Sequence, residues 1–202
     1  MKNKKVNTMV KISMLSAVAT VLMLFEFPLP FIAPSFYELD FSEVPVLVGA
    51  FAMGPVAGVI IEGMKILLNF FINGTVTAGV GEIANFVMGV LFICPAAIIY
   101  KQNKTKKGAL LGLILGTVLL IVAGCFINVY VMLPAYGKAF GMPVDAFVKM
   151  AAAITPIIDN MFKFALLCVA PFNLIKSIIV SAITLVIYKK LSPILHNKEE
   201  KQ

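Results

Sequence analysis

Apolar residues fill most of the chain in long runs, broken at intervals by Pro, Gly, Asn and Lys. The runs Met9 to Phe25, Val56 to Ile72, Glu82 to Tyr100, Gly108 to Leu133 and Pro171 to Tyr188 each approach the roughly 20 residues that a helix needs to cross a bilayer. A shorter run, Val44 to Met53, stops at Gly54-Pro55. One helix over Val44 to Ile72 would be far too long for a simple span at about 1.5 Å per residue. The pattern therefore predicts a break at Gly54-Pro55 and six spans in all. Asn73 to Gly81, rich in Gly and Thr, reads as a turn, and Lys101 to Lys107 as a solvated loop. Pro171 suits a helix start, where its missing amide costs nothing. Residues Ala135 to Ala170, interrupted by charges and prolines, predict a structured connection with one or two short helices over the membrane face. Gly108, Gly112, Gly116 and Gly124 predict close helix packing in span five.

The stretch Phe25 to Pro45 stands apart. Pro28, Pro30, Pro34 and Pro45 forbid a continuous helix, because each lacks an amide donor and restricts the residue before it. Phe25, Phe27, Phe31, Phe36, Tyr37 and Phe41 alternate with Glu26, Glu38, Asp40 and Glu43. A solvated linker would not carry so many rings, and a membrane span would not carry four carboxylates. The stretch reads as a lid or wall packed on something apolar.

Composition sharpens the class. With 60% apolar residues and mean hydropathy +0.98 over 202 residues, the chain reads as one all-α integral membrane domain over 1–202, with loose termini at 1–8 and 192–202. The formal charge of +7 does not point to nucleic acid, since every basic residue is Lys and none is Arg. Most lysines sit in three clusters: Lys2, Lys4, Lys5 and Lys11; Lys101, Lys104, Lys106 and Lys107; Lys189, Lys190, Lys198 and Lys201. Cytoplasmic loops carry such clusters, and six spans put all three on the cytoplasmic side with both termini. Cys94, Cys125 and Cys168 lie within apolar runs and read as small core residues rather than metal ligands. The N-terminal run is long for a cleaved leader and is kept as a span.

In that topology the polar residues of the spans gather near the outer face. Glu82 and Asn85 open span four, Asn173 and Lys176 open span six, and Asn128 lies near the end of span five, all within roughly 10 Å of the boundary by helical rise. Polar groups in a membrane are costly and usually face a bundle interior or a cavity. They predict an outward-opening site capped by the aromatic loop. Amides, one cation and a bed of rings suit a planar heteroaromatic ligand with a polyol or anionic arm. Glu62 and Lys65, three apart in span three, read as a structural ion pair. In span one, Ser13 and Ala17, with Ser16 and Thr20 beside them, form a small-residue stripe on which another helix could dock.

The loop and the run after it, FEFPLPFIAPSFYELDFSEVPVLVGAFAMGPVAGVIIEGMK, together with GEIANF at Gly81 to Phe86 and PFNLIK at Pro171 to Lys176, resemble the riboflavin-specific S component of energy-coupling factor (ECF) transporters over nearly the whole chain. The resemblance implies six helices, a riboflavin ligand, a transmembrane coupling subunit and two cytoplasmic ATPases, and a loaded protein that topples in the membrane. It implies flavin contacts at Leu39, Asp40 and Phe41 in the loop, at Glu82 and Asn85, at Asn128, and at Asn173 and Lys176. Asn128, Asn173 and Lys176 would meet the ring, and Glu82 the ribityl chain. No resident cofactor or metal is implied, and FMN stays open beside riboflavin. The chain carries no GxxxxGK[ST] phosphate loop, so ATP would be spent by a partner. It also carries no HExxH and no His in a span, which disfavours an intramembrane enzyme. An S component for another vitamin, or an ion-coupled carrier using Glu62 and Lys65, remains as the alternative.

Overall fold

The structure is a computed structural model that describes residues 2–75 and 77–196. Helix α1, Lys2–Met23, is followed by a loop that pinches into a two-stranded antiparallel ribbon, β1 Phe27–Pro28 with β2 Glu38–Leu39, pairing Phe27 with Leu39 and Pro28 with Glu38. Then come α2, Glu43–Met53; α3, Pro55–Asn73; and α4, Val80–Gln102. Helix α5, Lys106–Ile127, runs through a π-helical turn at Asn128–Met132 into α6, Leu133–Phe140. After α7, Val144–Ile154, the short α8, Met161–Phe164, runs through a second π-helical turn at Ala165–Val169 into α9, Ala170–His196.

Among the described residues, five helical stretches are long and apolar enough to cross a membrane: 5–23, 55–73, 80–102, 106–140 and 161–188. The predicted second span is different in kind. Its helix α2 has 11 residues, about 16 Å of rise, and nine of them, Glu43 to Phe51, are buried. It packs against α1, α3, α4 and α9, so it fills the bundle instead of facing lipid. The break at Gly54-Pro55 is where the pattern put it: Gly54 adopts φ +98°, which a side chain would strain, and its amide closes α2 on the Ala50 carbonyl at 2.8 Å.

Four expected boundaries move. The segment 1–8 is helical from Lys2 onward, and 192–196 continue α9, while 197–202 lie outside the described residues. Span five does not stop before Pro134, and span six does not begin at Pro171. Both prolines follow a π-helical turn by two residues, and the amide before each bonds five residues back, Leu133 to Asn128 and Ala170 to Ala165. The widened turn removes the clash that a proline ring makes with the carbonyl four residues earlier, so the helix continues. The region between them holds α6 and α7 and the start of the last helical stretch.

Two buried cores result. One joins Val46, Leu47, Phe51, Ile93, Ala96, Tyr100, Leu113 and Tyr188. The other, at the loop end, joins Ala33, Leu39, Leu133, Phe147, Phe164 and Phe172. Tyr100 and Tyr188 meet edge to face at 5.5 Å, which puts the Lys101–Lys107 turn and the end of α9 at the same end of the bundle, away from the loop. Exposed Val118, Val122, Phe126 and Leu115 on α5 offer an apolar surface suited to lipid.

Candidate functional site

A cavity of about 550 Å³ opens at the loop end and draws its walls from both cores. That volume is ordinary for a small-molecule site. Its roof is the aromatic loop. Phe36 packs on Tyr136 at 5.8 Å and on Phe147 at 5.7 Å, and Tyr37 packs on Phe172 at 5.6 Å and Phe164 at 6.1 Å. The prolines deny this stretch a helix, and its rings seat it on α6, α7 and the last helix. Other rings of the stretch, Phe25 and Phe31, point outward.

Of the eight predicted ligand residues, Glu82, Asn85, Asn128, Asn173 and Lys176 line this one cavity, although they come from three different helical stretches. Leu39, Asp40 and Phe41 do not reach its lining. Leu39 is buried in the loop-end core, and Phe41 packs against Phe27 at 6.3 Å. Asp40 is buried and turned to the protein: one carboxylate oxygen accepts from the Ser42 amide at 2.7 Å, the other from Lys176 Nζ at 2.8 Å. Burial alone would raise this acid. The Lys176 ammonium and the hydrogen bonds win, and hold it well below the usual carboxylate range.

The cavity residues differ in how free they are. Asn128 is spoken for, since Nδ2 donates to the Gly124 carbonyl at 2.9 Å and Oδ1 accepts from the Tyr37 hydroxyl at 2.5 Å. Burial pushes Tyr37 well above its ordinary value, so it stays a donor. Lys176 is paired with Asp40. Glu82 accepts from the Thr77 hydroxyl at 3.0 Å. Asn85 and Asn173, both half-buried, have no hydrogen-bond partner among the described residues, which leaves two amides to meet a ligand.

Sequence reasoning missed the contribution of α3. Glu62, Lys65, Asn69 and Asn73 recur at spacings of three, four and four, a polar stripe on one face of an apolar helix, and that spacing was the available signal. Lys65 Nζ lies 2.8 Å from Glu62 Oε2 and 2.9 Å from Glu43 Oε1, so the expected pair is a triad completed from α2. Asn69 and Asn73 continue the stripe into the cavity wall. Glu26, just before the ribbon, and Glu38, in its second strand, line it as well, and burial followed by the nearby Glu38 and Asp40 carboxylates pushes Glu26 up to about 7.

The small-residue stripe of α1 divides. Ser13 and Ala17 are exposed beside Met9, Val10, Met14, Val18 and Val21. Ser16 and Thr20 are buried, with the Thr20 hydroxyl bonded to the Ser16 carbonyl at 2.9 Å and reaching the Lys65 carbonyl at 3.4 Å. Those two serve packing on α3 and are not available to a partner.

A family model described as the substrate-specific component of ECF transporters matches residues 7–188. The chain belongs to that family. It is 35% identical over 191 residues to the riboflavin transporter FmnP of Bacillus subtilis (strain 168), covering 94% of each chain. It is 36% identical over 194 residues to the riboflavin transporter RibU of Staphylococcus aureus (strain TCH60), covering 96% of this chain and 93% of that one. A solved structure of the S component of a bacterial ECF transporter superposes with a TM-score of 0.74 at 34% identity, over 97% of this chain and 99% of the other. The likeness thus extends over nearly the whole length of this substrate-specific component.

Proposed function

We propose that this substrate-specific component binds riboflavin and delivers it into a bacterial cell as one subunit of an ECF importer. The observation that carries the reading is the cavity itself, a chamber under an aromatic roof with the unpartnered amides of Asn85 and Asn173 in its walls. A tricyclic ring offers carbonyl and nitrogen edges for those amides and flat faces for the rings. The relatives named riboflavin transporters in Bacillus subtilis and Staphylococcus aureus support the same ligand. Glu26, Glu38, Glu43 and Glu82 also line the cavity, while Lys176 is already paired, so the walls favour the neutral flavin over its phosphate.

In this reading the coupling subunit and two ATPases supply the energy, and Ser13 and Ala17 on the exposed face of α1 meet the coupling subunit. The short α2 completes a six-helix bundle. The three lysine clusters and both termini face the cytoplasm, and the cavity opens outward.

Purified in detergent and freed of ligand, the protein quenches riboflavin fluorescence with saturation near one flavin per chain. Asn173→Ala weakens the binding about tenfold, the effect of one lost hydrogen bond that leaves a polar partner unmet. Absence of quenching at micromolar flavin by a folded protein rules out riboflavin and leaves another vitamin on the same fold.

A further inference from the structure

The aromatic loop is gathered at its neck by the ribbon, two residue pairs long, between Phe27–Pro28 and Glu38–Leu39. Antiparallel pairing of Phe27 with Leu39 and of Pro28 with Glu38 puts Glu26 opposite Asp40 one step further along. Alternation along each strand then turns Glu26, Glu38 and Asp40 to one face. Phe27, Leu39 and Phe41 fall on the other, where Phe27 meets Phe41 at 6.3 Å. Like charges facing each other across a ladder are destabilising, and so short a ribbon has little else to resist them.

Nearby cations do not relieve this face. Lys176 on α9 pairs with Asp40 at 2.8 Å, and its pull on Glu26 ranks behind the push of Glu38 and Asp40. Glu43 on α2 and Glu82 on α4 border the same cavity, the first held by Lys65 at 2.9 Å and the second by the Thr77 hydroxyl at 3.0 Å. Among the described residues neither Glu26 nor Glu38 forms an ion pair. Their carboxyls lie within hydrogen-bonding reach of each other, and two carboxyls share a hydrogen bond only when one carries a proton. We infer that the ribbon is a proton-operated latch: one proton shared by Glu26 and Glu38 holds the aromatic roof shut, and its loss lets the roof lift and the ligand leave. Tyr37, a ring of that roof, is bonded directly to Glu38 in the chain, so a ribbon that parts loosens it from Phe164 and Phe172. With Glu26 near 7 in the closed loop and at its ordinary 4.5 in the open one, closure is favoured about tenfold more at pH 6 than at pH 8.

Two readouts test the latch. On a background with Cys94, Cys125 and Cys168 replaced by Ala, nitroxide labels at Phe31→Cys in the loop and Ile83→Cys on α4 report the roof without any ligand; both positions are exposed. Their distance distribution gains weight at longer separations between pH 6 and pH 8. Glu26→Gln keeps a hydrogen-bond donor for Glu38 and cannot ionise, so its labels stay close at both pH values. Glu38→Gln, made on the other strand, shows the same loss of pH response and stands in should Glu26→Gln fail to fold. The second readout rests on the flavin reading: riboflavin leaves the otherwise wild-type protein about tenfold faster at pH 8 than at pH 6, and leaves Glu26→Gln at one slow rate. Label distances that match at the two pH values overturn the inference, and so does a pH response that Glu26→Gln retains in full, or riboflavin release that ignores pH. A protein that binds no flavin while its labels still part at pH 8 loses the flavin reading and keeps the latch.

Discussion

Lys65 is fully buried with Glu62, and its ammonium lies between two carboxylates. Removing it strands two buried acids, so Lys65→Met destabilises by about 3–5 kcal/mol, while adding Glu43→Gln and Glu62→Gln restores most of the loss. Thermal unfolding in detergent reads both, and a triple variant no more stable than the single one shows that charge is not the cause. Glu26 gives a second expectation. Its native value near 7 lies above its ordinary 4.5, so the folded loop binds the proton more tightly than the unfolded chain does. The contribution is complete below about pH 4.5 and is lost as pH rises to about 7, and Glu26→Gln flattens the melting temperature over that window. At this scale the sequence reveals residues that share one helix, such as Glu62 with Lys65. It conceals Glu43 as their third member and Asp40 as the partner of Lys176, because those contacts close over loops and between helices.

The elements depend on two devices. The first is the pair of π-helical turns, each two residues ahead of a proline. A proline in a helical pattern signals a stop, so the pattern predicts a span end before Pro134 and a span start at Pro171. The carbonyls their rings would strike belong to Tyr130 and Leu167, inside the widened turns, so both helices continue. One of the turns also carries Asn128 at its first position, where it meets Tyr37. The second device is the contact of α4 with α5. A Cβ on Gly116 would stand 2.4 Å from the Phe92 carbonyl oxygen, and one on Gly112 2.6 Å from that of Ala96. Here backbone meets backbone, and no side chain can give way. Gly116→Ala therefore costs about 1–3 kcal/mol, measured as a lowered midpoint of thermal unfolding. An unchanged midpoint would mean that the two helices stand further apart.

For the whole molecule, the aromatic contact of Tyr100 with Tyr188 and the distant loop divide the bundle into a lysine end and a cavity end. On a background with Cys94, Cys125 and Cys168 replaced by Ala, a cysteine at Phe31 reacts with a membrane-impermeant maleimide added to intact cells, and one at Lys104 reacts only after the cells are opened. Reversed labelling would invert the orientation. The number of long apolar runs, the break at Gly54-Pro55, the asymmetric lysines and the membrane class follow from the sequence alone, because lipid imposes length and polarity on each segment separately. The burial of α2 inside the bundle, the split of the α1 stripe into an exposed and an inner face, and the withdrawal of Asp40 behind Lys176 were decided only in the tertiary structure. Each depends on which side of a helix its neighbours occupy, and periodicity along one segment carries no record of that.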